Sequence, residues 1–184
     1  MRADSGVLGE VALVDNVMLL VADAIENVWA GIASALMILI EHHAEAESCV
    51  AAGGALHKII DEFFRLESPG QYQARIVTEP MDIGGTTLNK YSVVLVGLAA
   101  ANRDPATFND PTAFQPSRKG AKHLTFGLGR HACIGGALAR QEMTAILRAM
   151  WPLVERLDLV EDTLHWEARA GHRWLRALPL HLKS

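Results

Sequence analysis

From Ala12 to His43 the chain has no proline, and Val14, Val17, Met18, Val21, Val28, Ile32, Leu36 and Leu39 return at helical spacing. This run predicts one long helix, or two nearly continuous ones interrupted only at Gly31. Leu19, Leu20, Trp29, Met37 and Ile38 fill the remaining sides. A helix that is apolar nearly all round belongs in the middle of a protein, so its polar break at Asp23 to Asn27 is the informative feature. Glu41 to Ala55 is polar and rich in small residues, which suggests a short surface helix or connection. Leu56, Ile59, Ile60, Phe63 and Phe64 then follow the pattern of an amphipathic helix that Pro69 and Gly70 terminate.

Between Ala74 and Ala100 the texture changes to β-branched runs with a turn signal at Gly84 and Gly85, and short strands fit there. Residues 101 to 132, rich in Asn, Asp, Pro and Gly, predict an ordered but irregular loop, longer than a compact domain normally tolerates without a function. The helical pattern returns from Ile134 to Met150, with Leu138, Ala145, Ile146 and Met150 on one side, and Pro152 ends it. The segment Leu164 to Leu182, centred on Gly171, suggests a closing hairpin. The expected fold class is mainly α with small β elements, as a single domain over residues 1–184 with only a soft boundary near Gly70.

Half of the residues are hydrophobic and the formal net charge is −4, an ordinary balance that gives nucleic acid no electrostatic footing. Asp23, Glu26 and Asn27 would be costly in lipid, so a buried helix is expected rather than a membrane span. Met1 to Glu10 lacks the apolar core of a signal peptide, and the two cysteines, Cys49 and Cys133, do not resemble a disulfide framework. Both features point to a cytoplasmic location. His42 and His43 are neighbours and face different ways on a helix, so they read as surface histidines rather than a metal pair. Cys49 is assigned no role.

The stretch that carries chemistry is Phe126-Gly127-Leu128-Gly129-Arg130-His131-Ala132-Cys133-Ile134-Gly135, a glycine-rich loop delivering one cysteine to the start of a helix. Backbone N–H groups and the helix amino terminus favour an anionic sulfur there, which suits a metal ligand. Gly127, Gly129 and Gly135 let the backbone turn sharply and approach a flat partner closely.

This loop resembles the haem-binding loop of cytochrome P-450 proteins, Phe-x-x-Gly-x-His/Arg-x-Cys-x-Gly, with Phe126, Gly129, His131, Cys133 and Gly135 at its fixed positions. The resemblance implies the carboxy-terminal half of that fold, haem b (iron protoporphyrin IX) as cofactor and Cys133 as the iron ligand. Glu62 and Arg65 match the Glu-x-x-Arg of the family's K helix. There the pair clamps the segment before the haem loop through charge-assisted hydrogen bonds. Asn102-Arg103-Asp104-Pro105 and Asp110-Pro111, with Phe114 and Pro116, resemble that segment, and Arg118 is expected to join the clamp. Arg75 resembles the propionate-binding arginine, and His123 and His131 occupy positions that usually reach the propionates.

The first helix resembles the I helix, which begins at the lead-in Leu8 to Leu13 and crosses the distal face of the haem. Ala24 and Glu26 keep its small residue and acid, while Asn27 replaces the usual threonine. An amide can hold a water but cannot relay a proton as a hydroxyl does. The helices that lid the pocket precede the I helix in the family and have no counterpart here. An amino-terminal-half polypeptide or a second copy is therefore expected to cover an exposed apolar face.

The resemblance then implies a monooxygenase half, oxidising a small organic, secondary-metabolite-like substrate with electrons from a ferredoxin and its reductase. Alternatives are a non-catalytic haem-binding or interaction protein and a scaffold without haem. Val21, Ala24, Ile25, the turn from Gly70 to Gln73 and the hairpin around Ala170 to His172 are the pocket residues this half would supply. Arg130 and Arg140 mark the expected docking face for an acidic ferredoxin.

Overall fold

The computed structural model describes residues 9–160 and 164–183, so the expectations for the chain before Gly9 lie outside the described residues. Helix α1, Glu10–Glu41, runs for 32 residues without a break at Gly31 or at the polar step, about 48 Å at 1.5 Å per residue. Its second half is the interior helix that the sequence suggests, burying Ala30, Ser34, Ala35, Met37, Ile38 and Leu39. Its first half lies open to solvent, with Val11 75%, Met18 68% and Ile25 64% exposed. No helix among the described residues is long and apolar enough to cross a membrane.

The backbone turns at His42 into α2, His43–Ala51. Helix α3, Leu56–Leu66, then buries Ile59, Ile60, Phe63 and Phe64, the stripe its spacing predicts. These side chains meet Leu39, Met143, Leu147, Val154 and Leu175 in one core. At Gly31 α1 faces Phe64 and Pro69, where a Cβ would make ordinary contact at 3.5 Å with each and a side chain longer than alanine would have to displace them.

Strand β1, Tyr72–Ile76, pairs antiparallel with β4, Val93–Gly97, from Tyr72 opposite Gly97 to Ile76 opposite Val93. Between them β2, Met81–Ile83, and β3, Thr86–Leu88, form a hairpin. Gly84 and Gly85 turn it with φ of 57° and 78°, the left-handed pair that a two-residue hairpin needs. Both faces of the β1 and β4 ribbon are largely open, with Ile76, Val93 and Leu95 all more than half exposed. A short helix α4, Leu98–Ala101, leads into the irregular segment, where a single 3-10 turn forms at Gly129–His131.

Helix α5 spans Gly136–Met150 and passes into a 3-10 turn, Trp151–Arg156, with Pro152 in its first turn. The buried side of α5 is Gly136, Met143 and Leu147. That corrects the face built on Leu138, Ala145, Ile146 and Met150: Leu138 is 55% exposed and Ala145 is exposed. The reason is tertiary, since on that side α5 meets α1 through Met143 near Gly31 and the incoming loop through Gly136 at Phe126, where space is tight.

The closing hairpin around Gly171 is present as a bridge between Trp166 and Leu175. Its outer strand β6, Leu180–Leu182, instead pairs with β5, Leu157–Leu159. One further correction concerns His43, whose side chain is only 14% exposed rather than at the surface. His43 packs on Trp151 at 5.6 Å, while His42 stays at the surface, stacked on Phe114 at 5.4 Å. Cys49, from a polar stretch of sequence, is buried in the core.

Candidate functional site

The cysteine loop is anchored before it begins. Asn102, fully buried, donates from Nδ2 to Thr125 Oγ1 at 2.9 Å and accepts from the Leu124 N–H at 2.6 Å. Thr125 Oγ1 donates onward to the Phe64 carbonyl at 2.6 Å, which ties the loop entrance to α3. Gly127 and Gly129 have φ of 66° and 70°, values that strain any residue with a Cβ. The Cys133 N–H closes the loop on the Phe126 carbonyl at 2.7 Å.

Cys133 is exposed, two residues ahead of the N-cap Gly135 of α5. Around it in sequence Leu128, Ile134 and Leu138 are 75%, 88% and 55% exposed. Apolar side chains standing open beside a free thiol suit a large flat apolar ligand with a metal at its centre. His131 is exposed at the end of the 3-10 turn.

Behind the loop, the Phe126 ring meets Phe64 edge-on at 4.8 Å and lies 4.4 Å below the Arg140 guanidinium. A Cβ at Gly136 would come within 3.3 Å of that ring, so any larger residue there would push the ring back by a few tenths of an ångström. Arg140 Nε donates to Asp61 Oδ1 at 2.8 Å, and His123 Nε2 lies 3.3 Å from the same oxygen. Arg140 thus braces loop, α5 and α3 while its side chain stays 37% exposed, and Arg130 is exposed.

Burial pushes the Asp61 carboxyl up, but the hydrogen bonds and charges of His123 and Arg140 outweigh it and hold the group below its ordinary 3.8. A depressed carboxylate stabilises the fold above about pH 4 and loses that contribution as pH falls through the folded value. Asp61→Asn is therefore expected to show a shallower loss of stability below pH 4 than the parent chain in acid titrations of unfolding. Superimposable pH profiles would contradict the assignment.

Glu62, Arg65 and Arg118 come together. Arg65 Nε and Nη2 donate to the two Glu62 oxygens, each at 2.8 Å. Arg118 Nε donates to Glu62 Oε1 at 3.3 Å and holds the Asn109, Asp110 and Ala113 carbonyls. The Gln115 N–H adds a bond to Glu62 Oε1 at 3.0 Å.

The distal residues are more open. Ala24 is exposed. Glu26 Oε2 pairs with Arg169 Nη1 at 3.1 Å, and Asn27 Nδ2 donates back to the Asp23 carbonyl at 3.4 Å. The turn and hairpin expected to line a pocket are adjacent: the Gln71 N–H donates to the Gly171 carbonyl at 2.8 Å, and Gly70 bridges His172. Arg75 is exposed on β1, with Nη1 donating to the Ala74 carbonyl at 2.8 Å. Reading the sequence missed Asp61, Arg140 as a brace, and Arg169. Only Asp61 had a local signal, its position next to Glu62.

A family profile described as Cytochrome P450 matches residues 54–151. The chain is 32% identical over 149 residues to the biotin biosynthesis cytochrome P450 of Bacillus subtilis (strain 168), covering 81% of this chain and 38% of that protein. It is also 32% identical over 162 residues to the 20-oxo-5-O-mycaminosyltylactone 23-monooxygenase of Streptomyces fradiae, covering 88% of this chain and 38% of that one. Among solved structures, the ligand-free P450 monooxygenase TamI superposes with a TM-score of 0.88 at 30% identity, over 99% of this chain and 45% of its own. The chain spans well under half the length of these relatives. With the family profile matching more than half of its length and the fold shared with TamI, the chain belongs to the cytochrome P450 family.

Proposed function

We propose that this chain is the haem-binding, carboxy-terminal half of a monooxygenase, working as one unit with Cys133 as ligand to the iron of haem b. The observation that carries this reading is the exposed thiol of Cys133, on a glycine-turned loop closed by the bond from its backbone N–H to the Phe126 carbonyl, and flanked in sequence by open apolar side chains. The residues present fit the cofactor: a soft sulfur donor, glycine backbone for close approach and Leu128, Ile134 and Leu138 for the porphyrin face. The bound thiolate-ligated haem supplies the activation of dioxygen.

The chain's own residues bind and orient. Arg75, with its guanidinium exposed on β1, and His131 take the propionates. His123, expected from the sequence to join them, is buried against Asp61, Phe64 and Phe126 and supports the loop instead. The clamp of Glu62, Arg65 and Arg118 holds the segment that presents the loop. Glu26 is the proton-carrying group on α1, and Arg169 holds its carboxylate in place. Asn27 donates a hydrogen bond but passes no proton, which makes Glu26 the sole relay of the pair. Val21, Ala24 and Ile25 form an apolar pocket wall for a small organic, secondary-metabolite-like substrate, and a cytoplasmic ferredoxin and reductase supply electrons.

Haem reconstitution followed by reduction and carbon monoxide tests the reading, since a thiolate-ligated haem gives a long-wavelength Soret band. An absorption spectrum without it would exclude Cys133 ligation. Asn27 also favours a second reading, a haem-binding protein without oxygenase activity. Oxygen consumption without oxygenated product, when donors and candidate substrates are supplied, would select it.

The open first half of α1 and the ribbon of β1 and β4 are covered, in this reading, by an amino-terminal half of the same fold. At about 25 cal/mol per Å², several hundred Å² of exposed apolar surface represents on the order of 10 kcal/mol of unrealised burial. The isolated chain is accordingly expected to self-associate in sedimentation velocity, and Val14→Glu with Met18→Glu to shift it toward monomer. A monomeric parent chain that binds no hydrophobic dye would count against the missing cover.

A further inference from the structure

We propose that His43, Glu47 and Glu155 bind one divalent transition-metal ion, zinc by preference, which staples α2 to the 3-10 turn Trp151–Arg156. His43 and Glu47 are four residues apart on α2 and share a face. His43 Nε2 stands 3.8 Å from Glu47 Oε1, too far for a hydrogen bond. That nitrogen is buried and has no hydrogen-bond partner, on a side chain that is 14% exposed. A buried polar atom left in that state is costly, and a ligand that takes its lone pair removes the cost.

Glu155 supplies a second carboxylate from a distant part of the chain, and one donor atom from each of the three residues lies within 4.8 Å of the others. The Trp151 ring, 5.6 Å from the imidazole, restricts its orientation. His42 takes no part: it stacks on Phe114 and its Nδ1 pairs with Glu45 at 3.4 Å.

Zinc bonds of about 2.0–2.2 Å place tetrahedral donors about 3.3–3.6 Å apart, so closure needs about 1 Å of contraction. Glu47 is half exposed and Glu155 is exposed, so both carboxylates can swing inward while the imidazole stays fixed. A nitrogen donor with two carboxylates suits zinc and its neighbours, whereas calcium and magnesium prefer all-oxygen shells. Water fills the fourth position. This site shares no residue with the cysteine loop.

The test is a zinc titration of the full chain against a chromophoric chelator, with Cys133→Ser in every sample so that the exposed thiol does not compete. One equivalent is expected to bind, with affinity falling by more than the roughly 10- to 100-fold typical of outer-shell losses in His43→Ala, Glu47→Gln and Glu155→Gln. Zinc should also raise the thermal midpoint of the parent and leave that of Glu155→Gln unmoved. Glu155 is exposed, so this variant keeps the fold even where His43→Ala does not. Equal zinc affinity in parent and Glu155→Gln, or no stoichiometric binding, would overturn the proposal. Magnesium is expected to leave both midpoints unchanged, and a midpoint rise with magnesium equal to that with zinc would overturn it as well.

Discussion

Arg65→Leu is expected to destabilise the fold by about 3–5 kcal/mol, the usual consequence of removing one partner of a buried ion pair. Arg65 and Glu62 are 2% and 5% exposed, so water cannot rescue whichever group is left. The guanidinium uses every N–H it has. Besides the two bonds to Glu62, Nη1 donates to the Asn102 and Pro111 carbonyls at 2.9 and 2.6 Å, and Nη2 to the Ala113 carbonyl at 3.0 Å. Leucine fills part of the volume but takes the bidentate partner from a buried carboxylate, leaving it only Arg118 and the Gln115 N–H on Oε1, and takes this donor from the Asn102 and Pro111 carbonyls. Arg65→Lys should recover only part of the loss, because an ammonium offers three donors in no fixed fork. Urea unfolding followed by far-ultraviolet circular dichroism measures both. An unfolding free energy for Arg65→Leu within about 0.5 kcal/mol of the parent, the range of an ordinary surface change, would show that the clamp adds little.

The same cluster shows what a sequence can and cannot disclose. The stripe of α3 is legible because Ile59, Ile60, Phe63 and Phe64 obey a local period, and local periods need no knowledge of partners. The Gly84-Gly85 hairpin is legible for a similar reason, since left-handed backbone has few side chains to choose from. The face of α5 is not legible. Its apolar residues lie on more than one side, and the choice between them depends on Gly31 and Phe126, which come from other elements.

Arg140 illustrates the point within the candidate site. By spacing it belongs to the polar side of α5, yet it braces Phe126 and Asp61 from behind the loop. His43 misleads in the opposite direction: the nearest histidine is the wrong partner, whereas the i, i+4 residue Glu47 shares its face and Glu155 arrives only with the tertiary fold. The cysteine loop escapes this difficulty because its glycines, aromatic ring and thiol are consecutive. Its support does not, since Asn102 and Thr125 must be brought together with Phe64 before the loop has a fixed shape.

Cys133→Ala is expected to remove the thiolate-type carbon monoxide spectrum entirely while leaving the protein folded, and that contrast is what makes the substitution informative. The side chain is exposed, so its loss opens no core cavity and should change stability by less than about 0.5 kcal/mol. The loop's closing bond runs from the backbone N–H of residue 133 to the Phe126 carbonyl and survives the change of side chain. The glycine turns, the Arg140 brace and the Asn102 anchor are equally untouched. Whatever porphyrin still associates with the apolar rim of Leu128, Ile134 and Leu138 then lacks sulfur ligation and absorbs at shorter wavelength in the reduced, carbon monoxide-bound state. Thermal unfolding and absorption spectra recorded on the same samples separate the two effects. A spectrum that keeps its sulfur-ligated form in the alanine variant would mean that Cys133 is not the ligand, and the monooxygenase reading would fall with it.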